Sequence, residues 1–174
     1  MRSMKGISRI LILAGLSIFG LGATVVAQAK PEVSALANAN ANVAIVAPLS
    51  IQKMADLNFG QIFPHDGGHI TISPSGSVST NGSVEFVPSC TTSAASFSVI
   101  GEGFNTFAIT LPSEAILTNG ADSIKVRNFT STPSGRGTLN NGTQTVNVGG
   151  TLYVNASLST GVYTGTFTVT VQFN

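Results

Sequence analysis

The chain has 174 residues with a net charge of +1, and Asp, Glu, Lys and Arg make up only 9% of it, where an ordinary soluble domain carries about 25%. With no basic excess there is nothing to neutralise a phosphate backbone, which excludes nucleic acid as an expected partner. Serine, threonine and asparagine number 20, 19 and 13. These residues favour strands, turns and local backbone hydrogen bonds over helix interiors, so helical bundles and coiled coils are disfavoured.

In chain order, Arg2, Lys5 and Arg9 form a positive start, and Ile10 to Val26 form an apolar stretch broken by Gly15, Gly20 and Gly22. Ala27-Gln28-Ala29 supplies a small-x-small cleavage site. The pattern predicts a signal peptide over residues 1–29, with Lys30 as the first mature residue. The apolar stretch is short for a span that needs about 20 residues, so no stable membrane span is expected after cleavage. Export places the chain where disulfides form, yet Cys90 is its only cysteine. No intrachain bridge can form, and Cys90 is expected to be buried as a small hydrophobe.

From the mature start the chain alternates with period two. Ala35, Ala37, Ala39, Ala41, Val43 and Ile45 share one parity, and Ser34, Asn38, Asn40 and Asn42 lie on the other. This predicts an extended strand with one apolar face, because a 3.6-residue period would mix Ala and Asn on every face. Pro48 interrupts the run, which divides an extended segment over 30–47 from a domain over 48–174. Further strands are expected at His69–Ser73, Val84–Val87, Ala95–Ile100, Thr106–Leu111, Ser123–Thr130, Thr143–Val148, Thr151–Leu158 and Val162–Phe173. Gly67-Gly68, Asn81-Gly82, Asn119-Gly120, Asn141-Gly142 and Gly149-Gly150 read as the turns between them. Nine or ten strands without helices predict an all-β fold, an immunoglobulin-like antiparallel two-sheet sandwich.

Chemistry-bearing residues are sparse. His65-Asp66-Gly67-Gly68-His69 is the densest cluster of ligand types, but it lies in a glycine-rich turn and reads as a solvated loop, where a metal wants three or four ligands on rigid elements. Glu102, between two glycines, and Asp122 are isolated carboxylates that nothing in sequence pairs for acid/base work. No nucleophile elbow or phosphate-cradling loop is present. The expectation is a chain without catalytic residues, metal or cofactor.

The last segment places Tyr163, Phe167, Val169, Val171 and Phe173 on one face and Thr164, Thr166, Thr168, Thr170 and Gln172 on the other, which predicts a half-buried final strand. An alternating strand with a penultimate aromatic, Phe173, and a glycine fourteen residues from the end, Gly161, resembles the C-terminal strand of chaperone–usher pilus subunits. That resemblance implies a sandwich lacking one strand, a groove beside the last strand, and a periplasmic chaperone that holds the groove before a neighbouring subunit fills it. In such a subunit the extended segment from Lys30 to Val43 would be the donor. Departures from the pilin pattern are the unpaired Cys90 and Phe, where Tyr is commoner, at the penultimate position.

A second resemblance covers nearly the whole mature chain. Pro48-Leu49-Ser50-Ile51, Leu57-Asn58-Phe59-Gly60, Gly67 to Ile72, Val148 to Leu152 and Gly161 to Val171 resemble the bacterial family known as domain of unknown function 4402. It implies an exported bacterial β-sandwich and carries no enzymatic role.

Together these features predict a non-enzymatic subunit of a surface fibre or pilus-like assembly, exported through the periplasm and joined to itself or to related subunits by strand complementation. Its expected strand-partner interface comprises Ala35, Ala37, Ala39, Ala41 and Val43 with Gly161, Phe167, Val169, Val171 and Phe173. The alternative is a self-contained secreted or surface binding domain, with carbohydrate as a candidate ligand, in which residues 35–47 fold back as its own first strand.

Overall fold

The computed structural model describes residues 34–45, 47–120 and 122–174. The expected signal peptide and the cleavage point before Lys30 lie outside the described residues. The chain divides into two units, Met1–Asn42 and Val43–Asn174. Of the first unit, residues 34–42 are described, and they are exposed and form no strand. Residues 43–45 continue in the same way, with Val43 and Ile45 86% and 89% exposed. The strand expected over 35–45 is therefore not formed. Alternation defines a face, but a strand also needs a ladder partner, and a row of alanine methyls offers little apolar area to recruit one.

The second unit is all-β, with antiparallel pairing throughout and no helix among the described residues. Its strands are β1 (Ser50–Ala55), β2 (Ile62–Phe63), β3 (Gly68–Ile72), β4 (Val78–Gly82), β5 (Glu85–Phe86), β6 (Ala95–Ile100), β7 (Thr106–Thr110), β8 (Glu114–Thr118), β9 (Ser123–Thr132), β10 (Arg136–Thr138), β11 (Thr143–Val154) and β12 (Thr170–Phe173). A seven-stranded sheet runs β1-β6-β11-β3-β4, with β9 on the other edge of β11 and β8 beyond it. A three-stranded sheet is ordered β10-β7-β12, and β2 pairs with β5.

β11 organises the large sheet. One of its edges pairs first with β6 over Thr143–Val148 and then with β3 over Gly150–Val154, while the opposite edge pairs with β9 over Asn147–Tyr153. The Gly149-Gly150 turn expected from sequence is absent, and both glycines are buried inside this continuous strand. They are needed for close approach and not for a turn. A Cβ on Gly149 would lie 2.1 Å from the Ile72 carbonyl oxygen, and one on Gly150 would press on Val126 and Phe129. Asn81-Gly82 likewise closes β4 instead of forming a turn, with Gly82 opposite Gly68. Asn119-Gly120 and Asn141-Gly142 do connect strands, and Asn141 and Gly142 both have positive φ, as a tight hairpin requires.

Two apolar clusters result. Ile70, Ile72, Ile124, Val126, Leu152 and Val154 form one with Phe59, Val84 and Ala115. Ala95, Val99, Val146 and Val148 form the other with Phe107 and Ile109 of the small sheet, Leu139 and Val169. Leu57, Phe129 and Phe167 pack against both clusters.

The segment expected as a strand over Val162–Phe173 pairs only at its ends. Thr170–Phe173 form β12 against β7, and Thr164 makes an isolated bridge to Thr118 of β8. Residues 165–169 join no strand among the described residues. The neighbouring chain supplies the reason. Leu111-Pro112-Ser113 separates β7 from β8, and proline cannot donate a ladder bond, so the antiparallel pairing breaks opposite it.

A cleft between two sparsely laddered walls

The two histidines singled out by sequence take different partners. His65 Nε2 lies 3.6 Å from Glu85 Oε2, whereas His69 packs on Tyr153 with ring centroids 5.5 Å apart. Among the described residues no group of three or more His, Cys, Asp or Glu converges. Glu102 accepts a hydrogen bond from the Ala47 backbone N–H at 3.1 Å, where the chain enters the domain. Cys90 is half-buried, less enclosed than expected, and unpaired.

A cleft of about 880 Å³ opens in the domain. One wall is the chain from Lys53 to Pro64 and the other is the chain from Leu158 to Phe167. Both walls are sparsely laddered, and the second bends at Thr160-Gly161. The first runs from β1 through the bridge of Asn58 to Ser93 before reaching β2, and the second holds the Thr164 bridge alone. β1 and β12, which lead out of these walls, are each the last strand of their sheets.

The cleft floor is apolar because inward residues of the large sheet reach it: Phe97 from β6, Ala115 and Leu117 from β8, Ile124, Val126 and Phe129 from β9, and Leu152 from β11. Three half-buried phenylalanines mark its centre. Phe167 lies edge-on to Phe97 at 6.3 Å and tilted over Phe129 at 5.0 Å. Such pairs favour offset or edge contacts, which hold the rings while leaving part of each exposed to the cleft.

Among the C-terminal residues expected at an interface, Gly161 and Phe167 line the cleft. Val169 is buried in the second cluster, and Val171 packs against that cluster half-buried. Phe173 is 36% exposed and pairs with Phe107 at the far end of β12. Gly165 lies closest to β8, where a Cβ would come 2.1 Å from the Ile116 carbonyl oxygen. The Lys53–Pro64 wall, Phe97 and Phe129 were not anticipated as site residues. Their signal is present but faint: phenylalanines within serine- and threonine-rich strands, whose convergence depends on long-range pairing.

Polar contacts fix the second wall. The Asp122 carboxylate accepts the Ser159 backbone N–H at 2.8 Å, and Tyr163 donates its hydroxyl to the Ser159 carbonyl at 2.9 Å with Asp122 Oδ2 3.4 Å away. Hydrogen bonds from the Ser159 hydroxyl and backbone hold Asp122 below the usual carboxylate range. Loss of hydration, with the Asp122 charge next to it, raises the Tyr163 phenol.

These features define an all-β protein of antiparallel sheets with an apolar cleft between two sheet margins. The chain belongs to the family described as Domain of unknown function (DUF4402), whose model matches residues 49–173. No curated protein and no solved structure gives a significant match.

Proposed function

We propose that the protein is a non-enzymatic structural subunit of a surface fibre, exported through the periplasm and joined to other copies by strand complementation. Its two larger sheets are read as an immunoglobulin-like sandwich short of one strand. The observation that carries this reading is the cleft, apolar at its floor and bounded by chain margins with few ladder partners. Backbone groups along such margins favour an added strand, which supplies main-chain hydrogen bonds while alternate side chains enter the floor.

The donor proposed is the exposed segment over residues 35–45 of another copy, equal in length to the receiving segment over residues 163–173. Ala35, Ala37, Ala39 and Ala41 would each bury little more than a methyl, about 0.8 kcal/mol apiece. Val43 and Ile45 would contribute about 1.5–3 kcal/mol each, so affinity rests on these two and on the backbone ladder. A periplasmic chaperone would cover the cleft before assembly.

The test is electrophoresis without boiling of full-length protein and of a variant lacking residues 30–45, both expressed in the native host. Boil-sensitive multimers from the full-length chain, lost on truncation, are expected. A monomeric full-length protein, or multimers that survive truncation, would overturn strand donation in favour of a self-contained secreted binding domain.

A further inference from the structure

We propose that Asp122 is a positioning residue that clasps residues 158–163, fixing one wall of the cleft in the shape that takes a strand; the inference rests on the strand-accepting reading of that cleft. The wall has two attachments to the β8–β9 hairpin. At one end Thr118 and Thr164 exchange backbone hydrogen bonds of 2.8 and 3.0 Å. At the other, Asp122 accepts the Ser159 N–H, and Tyr163 closes the loop on the Ser159 carbonyl. Between them Thr160, Gly161 and Val162 are exposed, with Val162 81% accessible. Leu158 and Tyr163 pack against the first apolar cluster, and the Asp122 and Tyr163 hydrogen bonds to Ser159 fix the backbone that carries them.

Asp122 is itself held for this task. Its backbone N–H donates to Asn119 Oδ1 at 3.1 Å, and its carbonyl accepts the Asn119 N–H at 3.2 Å, so the hairpin turn is closed from both sides. The Asn119 side chain also packs beneath Gly161, where a Cβ would come 3.2 Å from Asn119 Nδ2. The turn thus reaches the wall at Ser159, Gly161 and Tyr163, and none of these contacts is needed to pair β8 with β9. When a binding-competent arrangement is only partly populated, apparent affinity falls by that fraction. Releasing the clasp should lower affinity for an incoming strand without unfolding the sheet.

A labelled peptide of residues 34–45, titrated into the full-length chain isolated as a monomer, reads this out, together with amide exchange on that monomer. Asp122→Ala should weaken the peptide about fivefold or more and speed exchange selectively at 158–163. Asp122→Asn, which keeps an acceptor oxygen, should recover part of the affinity. Glu114→Ala, which removes the cross-strand ion pairs to Lys125 and Arg127 in the same hairpin outside the cleft, should leave the affinity unchanged. Equal peptide affinity in Asp122→Ala and wild type, or unchanged exchange at 158–163, overturns the clasp and leaves strand acceptance standing. A wild-type chain that does not take the peptide, with exchange still raised in Asp122→Ala, overturns strand acceptance and supports the clasp.

Discussion

Thr143–Val154 and the stretch from Tyr163 to Phe173 both alternate apolar and polar residues, yet the first is a continuous strand and the second is laddered only at its ends. β11 has neighbours on both edges at Asn147–Val148 and Thr151–Tyr153. The glycines between these stretches lie at the change from β6 to β3 and at a register shift against β9, so the strand's backbone is held from both directions on either side of Gly149-Gly150. The C-terminal stretch has β7 and β8 to one side and the open cleft to the other. The difference teaches that alternation sets which way side chains face, while the ladder depends on what the rest of the chain places alongside.

Two glycines allow a direct test, because the same 2.1 Å approach to a carbonyl oxygen occurs in both settings. At Gly149 the obstructing atom is the Ile72 oxygen, backed by Ser73 and Pro74 backbone; at Gly165 it is the Ile116 oxygen. Gly149 lies in a strand held on both sides and cannot retreat. Gly149→Ala is expected to cost about 3 kcal/mol or more in urea unfolding. Gly165 can move toward the cleft, so Gly165→Ala should cost about 1 kcal/mol. Equal costs would mean that the 165–169 segment is held as firmly as β11.

Phe167→Ala falls between these two. Full removal of a buried phenylalanine costs about 3–5 kcal/mol, but Phe167 is half-buried at the meeting of the two clusters, and about 2 kcal/mol is expected from the same unfolding curves. Loss of the ring should also open the centre of the cleft, where it contacts Phe97 and Phe129. A cost as large as that of a fully buried ring would show that the cleft is closed in solution.

Faces were more legible than partners. Inward Phe167, Val169 and Val171 and exposed Thr164, Thr166, Thr168, Thr170 and Gln172 follow directly from period-two alternation. The role of Gly149-Gly150 did not, since a glycine pair signals a positive-φ turn and a close backbone approach with the same letters. β8 was missed because Glu114-Ala-Ile-Leu-Thr118 begins just after Pro112 and carries weak alternation. The cleft could not be read locally: its walls are about a hundred residues apart in sequence, and its Asp122–Ser159–Tyr163 contacts join positions that have no spacing signature.

The smallest expected effect concerns those contacts and arises only at extremes of pH. Asp122 has its acidity strengthened in the folded chain, first by the Ser159 hydroxyl and then by the Ser159 backbone N–H. A depressed carboxylate contributes stability that is present above its unfolded value and is lost as pH falls through the folded one. Tyr163 is raised, first by loss of hydration and then by the Asp122 charge, so its contribution is complete below the ordinary phenol range and is lost as pH rises through the folded value. Between those limits the clasp should be insensitive to pH. Because both groups are solvent-accessible, screening keeps the effect local. The measurement is the chemical shift of the Ser159 amide against pH: it should titrate below the ordinary aspartate range, and Asp122→Asn should remove that acid limb. β11 amides, paired on both edges, should not follow the same curve; if they do, the C-terminal wall and the central strand move as one unit and the contrast between them fails.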